Sequence, residues 1–222
     1  MSKRVEFIGE GPTDIGKDEP NGGISGVVPI LVHKLCGSPS SLRVVRKTFA
    51  SLQKGGLERK VGFAKTQAVY NRSAGVVFVV DTEGDHPGKK RDELAKARDA
   101  KHLAFPMAIG VAHPCIETWL LADARQLRRA SDQVPNQPEK LPAPNQDQNK
   151  NPKIVLADCV GLKKADLSAA EKWSIARSIT DVTVIETACP EGFAPFAAEI
   201  RDRIAPIFNA SSDNVDSSVP VL

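Results

Sequence analysis

The apolar residues of this chain fall into short continuous runs that are separated by segments of mixed polarity. The clearest run is Val76–Val80, in which every position is apolar, and the runs Val5–Ile8 and Met107–Val111 are similar. Runs of this kind are typical of parallel strands that helices cover on both faces. A further strand is predicted over Leu42–Phe49.

The segments between these runs are predicted to be helices, in most cases because apolar positions recur three or four residues apart. They span Ile24–Leu35, Leu57–Arg72, Lys89–Lys101 and Ile116–Ala130. Further helices are predicted at Lys153–Cys159, after the capping-box pattern Ser168-x-x-Glu171, and over the stripe Phe193, Phe196, Ala197, Ile200 and Ile204. Strands that alternate with helices imply a parallel sheet. The chain is therefore predicted to be an α/β protein with a Rossmann-type parallel sheet flanked by helices and with a helical C-terminal extension.

The composition changes abruptly at residues 131–152, which are rich in Pro, Gln, Asn and Lys. We interpret this segment as a flexible surface loop. It follows an α/β core over residues 1–130 and precedes a helical extension over residues 153–208 that packs on the core. The polar residues 209–222 are predicted to be a disordered tail. A length of 222 residues suits one such core with appendages.

Composition and charge restrict the class of protein only loosely. Apolar residues make up 41% of the chain and charged residues 26%, and no apolar run reaches the roughly 18 residues of a membrane span. The four cysteines lie far apart and no secretory signal precedes the first strand, so we expect a cytoplasmic protein. Bases are concentrated between Leu42 and Arg72, which predicts either a face that attracts phosphates or an ordinary solvated helix face.

Acidic residues follow two of the predicted strands. Glu10 follows the first strand, and Asp81, Glu83 and Asp85 follow Val76–Val80. Ligands bind outside the carboxyl ends of the strands in an open parallel sheet, and clustered carboxylates repel one another unless a cation is present. Mg²⁺ prefers such hard oxygen ligands, and Mn²⁺ is the alternative cation. These four acids are therefore predicted to form a metal site. The alternative is that Thr13 or Asp14, and Asp81 or Asp85, only cap the helices that follow.

A competing motif overlaps the first acid. Gly11–Asp18 has the Gly-x-x-x-x-Gly-Lys spacing of a phosphate-binding P-loop, with Lys17 at the lysine position. Asp18 stands where the motif needs a hydroxyl group, and Glu10 and Asp14 would repel the phosphates. A proline and two glycines also interrupt the helix that would bind the anion. A P-loop NTPase is therefore the lower alternative.

Several motifs of the chain together resemble a known family. They are the strand end Glu10–Asp14, which reads Glu-Gly-Pro-Thr-Asp, the strand end Asp81-Thr82-Glu83, and Pro114–Asp123, which reads Pro-Cys-Ile-Glu-Thr-Trp-Leu-Leu-Ala-Asp. Asn151–Lys153 and Cys189–Pro190 add to the likeness. The chain resembles the TOPRIM (topoisomerase–primase) fold, and more closely a group of small bacterial TOPRIM-like proteins of poorly defined function near the RloB and OLD-nuclease groups. It departs from their pattern where Asp14 and Glu83 replace the usual Glu and Asp.

The resemblance implies a nuclease that cleaves nucleic-acid phosphodiesters with Mg²⁺ or Mn²⁺, in bacterial phage defence or DNA processing, with an ABC/SMC-type ATPase as a possible partner. Glu10 would be the general acid/base or a metal ligand, and Asp81 and Glu83 would be metal ligands. Glu117 would face the site from the first turn of its helix, or would be an acid that the helix dipole favours. The alternative is a non-catalytic regulatory subunit of the ATPase.

Basic residues near these acids are the predicted contacts to DNA or RNA. They are Lys17, which follows the first acidic motif, and Lys89, Lys90 and Arg91, which open the helix after the second. Cations at such positions would bind the phosphates of a nucleic-acid strand and position it over the acids. A solvated helix start is the alternative for the last three.

Overall fold

The computed structural model describes residues 2–17, 23–52, 54–82, 85–100, 105–122, 151–160 and 166–209. The predicted loop up to residue 150, the predicted tail from residue 210, and the predicted ligand Glu83 lie outside the described residues. The later part of the helix predicted over Ile116–Ala130 lies outside them too. None of the described helices is both long enough and apolar enough to cross a membrane.

Four strands form one parallel sheet in the described part of the chain. They are β1 (Lys3–Gly9), β2 (Leu42–Thr48), β3 (Gly75–Asp81) and β4 (Met107–Ala112), and their order in the sheet is β2-β1-β3-β4. Every pair of neighbours is parallel. The four predicted strands and the α/β class with a parallel, Rossmann-like sheet are therefore confirmed.

Helices connect the strands and continue after them. They are α1 (Pro12–Ile15), α2 (Val27–Leu35), α3 (Leu57–Tyr70), α4 (Pro87–Asp99), α5 (Glu117–Leu121), α6 (Pro152–Cys159), α7 (Ala169–Ser178), α8 (Thr183–Ala188), α9 (Phe193–Arg203) and α10 (Ala205–Asn209), with a 3-10 turn at Phe49–Ser51. The capping box at the start of α7 is confirmed, because the Ser168 N–H donates to Glu171 Oε2 at 2.7 Å. The short helices α1, α8 and α10 were not predicted.

The sheet separates two hydrophobic cores, and β3 contributes to both. Val77 and Val79 pack into the core that contains α2, α5 and the C-terminal helices. Val76, Phe78 and Val80 pack into the core formed with α3 and α4. Because successive side chains of a strand point to opposite faces, a strand covered on both sides is apolar at every position.

The strand order creates a switch point between β1 and β3. The chain leaves β1 toward β2 on one side, whereas β3 pairs with β1 on the other side. The connections that follow these two strands therefore depart in opposite directions, and a crevice forms outside the two carboxyl ends. Glu10 follows β1 and Asp81 ends β3, so the acids predicted from the sequence flank this crevice.

Two of the bases predicted to form a phosphate-attracting face are instead bonded inside the protein. Lys65 is buried and its Nζ donates to the carbonyl oxygen of Arg98 at 3.0 Å. Lys47 Nζ donates to Glu6 Oε2 at 2.6 Å. These two lysines therefore match neither the phosphate-attracting face nor the solvated helix face that the sequence predicts, because groups distant in sequence accept their hydrogen bonds.

Glu6 is a charged residue in the middle of β1 with 0% exposure. Besides the Lys47 contact, Asn71 Nδ2 donates to Glu6 Oε1 at 3.0 Å, and Ser73 Oγ donates to the same oxygen at 2.8 Å. Burial alone would raise the pKa of Glu6, but these three donors hold it below its ordinary value of 4.5. A buried carboxylate is tolerated in a core only when it is paired in this way.

We expect Lys47→Met to lower the free energy of unfolding by about 2–4 kcal/mol near neutral pH, because it leaves the Glu6 carboxylate buried without its cation. A carboxylate with a depressed pKa stabilises the fold above its unfolded pKa and loses that contribution as the pH falls through the folded pKa. The penalty should therefore shrink below about pH 4. Urea denaturation near neutral pH and below about pH 4 measures the loss in free energy of unfolding. The control is Lys54→Met, which changes an exposed lysine. An equal loss in both variants would contradict this role of Glu6.

Candidate functional site

The carboxyl ends of β1 and β3 bring Glu10 and Asp81 together. Glu10 is exposed and Asp81 is partly buried at the end of its strand. The Asp81 N–H donates to Glu10 Oε1 at 3.5 Å. Two residues that are far apart in the chain are therefore neighbours at the switch point, as the parallel sheet requires.

The helical turn α1 adds Asp14 to this edge. Asp14 Oδ2 accepts the N–H of Gly11 at 3.2 Å, which closes the turn. Trp173 of α7 holds the turn from outside, since its Nε1 donates to the carbonyl oxygen of Thr13 at 3.0 Å. Burial raises the pKa of Asp14 to about 6, and the charges of Glu117 and Glu10 add to the shift.

Asp81 has the most perturbed carboxyl group at this edge. Its pKa is raised to about 8, first by burial and then by the negative charges of Asp14, Glu10 and Glu117, while Lys153 acts in the opposite direction. Like charges in a desolvated crevice disfavour ionisation in this way. We call Glu10, Asp14, Asp81 and Glu117 the carboxylate cluster.

Glu117 enters the cluster from the first residue of α5 and is buried. Its Oε1 accepts the Nζ of Lys172 at 2.6 Å, and the same Nζ lies 2.7 Å from Asp166 Oδ1. Its other oxygen, Oε2, is buried and has no hydrogen-bond partner within the described ranges. Glu117 thus lies with the other acids, but the helix dipole is not its main partner, because a lysine neutralises it directly.

Of the two remaining predicted metal ligands, the described residues include Asp85, and it is placed less favourably. Asp85 has a side chain that is 79% exposed, and its carboxylate lies 4.0 Å from Lys90 Nζ. Glu83 lies outside the described residues. The described residues therefore supply Glu10 and Asp81 as predicted, while Asp85 faces solvent and a lysine.

The four residues predicted to contact nucleic acid differ in whether their side chains already contact other parts of the protein. Lys89 is exposed on the first turn of α4. Lys90 Nζ donates to the carbonyl oxygen of Asp81 at 2.7 Å, so this lysine stabilises the end of β3. Arg91 Nη1 lies 3.5 Å from the carbonyl oxygen of Glu191, and Lys17 Nζ lies 6.0 Å from the Trp173 ring centroid. Of these four residues, Lys89 has an exposed side chain that contacts no backbone oxygen and no aromatic ring of the described residues.

The backbone around Lys17 does not support the P-loop alternative. A P-loop presents free N–H groups to phosphate oxygens. Here the N–H groups of Asp14 and Ile15 donate to Gly11, that of Gly16 to Pro12, and that of Lys17 to Ser25 Oγ. In the part of the chain that the structure describes, the next helix begins at Val27. The donors that would cradle a phosphate are therefore already used.

The side-chain types of the cluster suit a metal ion, but the distances between these side chains do not yet form a metal site. Carboxylate oxygens are the ligands that Mg²⁺ and Mn²⁺ prefer, and Glu117 Oε2 is a further buried carboxylate oxygen that makes no hydrogen bond with the described residues. Among the described residues, however, no three His, Cys, Asp or Glu side chains are grouped closely enough to hold a metal ion. Repulsion keeps carboxylates apart or protonated when no cation lies between them.

Comparison of the chain with known protein families, with curated proteins and with solved structures finds no match. The sheet and its flanking helices are consistent with a Rossmann-like protein, and they do not by themselves select the TOPRIM fold. The function is therefore argued from the carboxylate cluster.

Three residues of the site were missed by sequence reasoning. Asp14 was considered as a helix cap, as a repulsive neighbour of P-loop phosphates and as a departure from the family motif, but it was not assigned to the acidic site. Lys153 and Lys172 come from the C-terminal helices, and Lys172 is separated from Glu117 by 55 positions. No local pattern marks such a pair, because it depends on how α7 packs against α5.

We expect Asp81→Asn to raise the free energy of unfolding by about 1–2 kcal/mol at about pH 9 in the presence of a chelator. The folded pKa of Asp81 lies above its ordinary value of 3.8, so the stability that it contributes is present below that value and is lost as the pH rises through about 8. The asparagine variant should therefore show a flatter dependence of stability on pH between these limits.

Urea denaturation at about pH 5 and about pH 9 measures this difference, because the two values lie inside and above the window of the shift. The matched control is Asp85→Asn, which removes an exposed carboxylate and should leave both values unchanged. An Asp81→Asn variant that is less stable than the native protein at the higher pH would show that the ionised Asp81 carboxylate does not destabilise the fold.

Proposed function

We propose that this chain is a Mg²⁺- or Mn²⁺-dependent nuclease of the TOPRIM type, which hydrolyses nucleic-acid phosphodiesters in bacterial phage defence or DNA processing. The observation that carries this proposal is the carboxylate cluster at the switch point between β1 and β3, where the pKa of Asp81 is raised to about 8 by burial and by its acidic neighbours. Costly charge placed at the ligand-binding edge of a parallel sheet is typical of a functional site.

The cluster would hold the metal through carboxylate oxygens. Glu10 and Asp81 are the described ligands, with Glu83 as the third that the sequence offers. A bound Mg²⁺ or Mn²⁺ would polarise the phosphate and stabilise the attacking and leaving oxygens. The exposed Glu10 is then either a ligand or the general acid/base.

A groove beside the cluster supports the nucleic-acid part of the proposal. It has a volume of about 750 Å³ and lies between the first turns of α3 and α4. Arg59, Lys89 and Lys90 line it, together with acidic residues that include Asp85 and Glu93. Its size suits a few nucleotides, and its cations would contact their phosphates.

A cytoplasmic location belongs to the same proposal. The cysteines Cys36, Cys115, Cys159 and Cys189 are all free thiols. Burial raises the pKa of Cys189 to about 12, so this thiol stays protonated and unreactive. Free, buried thiols of this kind are compatible with a reducing compartment.

A non-catalytic regulatory subunit of an ABC/SMC-type ATPase is the second candidate. It is favoured by the absence, within the described ranges, of a closed group of three metal-binding side chains, and by the lysine that neutralises Glu117. Such a subunit would keep the sheet and its crevice as a binding surface. The two candidates differ in whether the cluster binds a cation.

We expect the native protein to bind Mn²⁺ and Asp81→Asn to lose at least about 10-fold in affinity, since a ligand is removed. Calorimetry measures this, first with the protein alone and then with a phosphorothioate oligonucleotide, so that a site completed by phosphate oxygens is also detected. The control is Asp202→Asn, because α9 ends near Gly75, at the opposite end of β3. No binding by the native protein in either titration would favour the regulatory subunit.

We further expect Mg²⁺ or Mn²⁺ to support cleavage of DNA or RNA by the native protein, and we expect the rate to fall by more than about 100-fold in both Glu10→Ala and Asp81→Asn. Single- and double-stranded substrates of both kinds are followed on denaturing gels, with a chelator and Asp202→Asn as controls. Cleavage that persists at the native rate in Asp81→Asn would come from outside the cluster and would contradict the proposal.

A further inference from the structure

The ion pair between Glu117 and Lys172 links the C-terminal helices to the carboxylate cluster. Lys172 lies on α7, and its side chain is 2% exposed. Its Nζ contacts Glu117 Oε1 at 2.6 Å and Asp166 Oδ1 at 2.7 Å. A buried ammonium with two carboxylate partners holds both in fixed positions, since each contact is a charge-assisted hydrogen bond.

This contact divides the two oxygens of Glu117 between different roles. Oε1 is bonded to Lys172, whereas Oε2 is buried and no described group lies in good hydrogen-bond geometry to it. The Cys115 thiol, a weak donor, lies beside the same carboxylate, and after burial the charge of Glu117 and a hydrogen bond to it raise the pKa of Cys115. A buried polar atom without a partner is costly and calls for an explanation, such as an ion that binds there. Glu117 is close enough to Asp81 and Asp14 for its charge to act on both.

The residue after Lys172 acts on the cluster from the same helix. Trp173 Nε1 donates to the carbonyl oxygen of Thr13, which precedes Asp14 in the turn α1. Consecutive residues of α7 therefore support two of the four carboxylates. The helix α7, which the sequence presents as part of an extension, therefore contacts both the turn that carries Asp14 and the helix that carries Glu117.

We propose that Lys172 is a positioning residue of the metal site, which fixes Glu117 through Oε1 and leaves Oε2 available as an additional ligand. This inference rests on the proposed metal-dependent function and adds α7 to the site. Partners that orient a ligand in this way are part of the metal site although they do not touch the metal. Lys172 itself contacts neither metal nor substrate.

The experiment is a Mn²⁺ titration, followed by electron paramagnetic resonance, of the native protein and the variants Lys172→Met, Lys172→Arg, Glu117→Gln and the double variant Lys172→Met/Glu117→Gln. We expect Lys172→Met to bind Mn²⁺ about 10- to 100-fold more weakly, and Lys172→Arg to restore part of this loss. The double variant should match Glu117→Gln, because Lys172 acts through Glu117. Lys34→Met is the control, since Lys34 also contacts α7, at the carbonyl oxygen of Arg177.

The outcomes separate this inference from the proposed function. Native binding that is lost in Asp81→Asn but is unchanged or tighter in Lys172→Met would overturn the positioning role alone, and tighter binding would mean that Lys172 competes with the metal for Glu117. No binding by the native protein, either alone or with the phosphorothioate oligonucleotide, would overturn the metal site and this inference with it. If Lys172→Met does not fold, the double variant removes both buried charges of the Glu117–Lys172 pair and leaves only Asp166, whose side chain is 41% exposed, without its lysine. Weaker binding by the double variant than by Glu117→Gln would overturn the inference.

Discussion

The site depends on one constraint, which is that β1 pairs in parallel with β2 on one side and with β3 on the other. Parallel pairing places the carboxyl ends of all strands at the same edge, and this strand order makes the connections after β1 and β3 diverge. Glu10 and Asp81 become neighbours for that reason alone. The same sheet separates the two cores, so the helices that support the crevice are held by apolar contacts on one face of β3.

Buried charge is treated in two opposite ways along the central strands. Glu6 receives hydrogen bonds from three side chains, which hold its pKa below the ordinary value despite complete burial. Asp81 instead meets other carboxylates, and its pKa rises to about 8. Paired charge specifies and stabilises the sheet, whereas charge that is left unpaired in a crevice is stabilised only by a proton or a cation. The difference between these two acids separates the scaffold from the candidate site.

The sequence was most informative where the physical cause is local or follows from the sheet. Every position of Val76–Val80 is apolar because both faces of β3 are covered, and the proximity of Glu10 to Asp81 follows from parallel pairing. Contacts between distant segments could not be predicted in this way. Lys47 belongs to the basic segment that was interpreted either as a phosphate-attracting face or as a solvated face, but it pairs with a strand residue. Lys172 has no local pattern that connects it to the cluster.

The energetic cost of the cluster bears on the choice between a nuclease and a regulatory subunit. A subunit that used this crevice only as a binding surface would be more stable with amides in place of Asp14 and Asp81, because their charges are desolvated and mutually repulsive. Lys172 offsets the charge of Glu117, and Lys153 acts on Asp81, yet the pKa of Asp81 remains raised. A divalent cation supplies the positive charge that these lysines do not, and it would also give Glu117 Oε2 a partner. The unpaired charge therefore favours a site that binds a metal over a surface that only binds a protein.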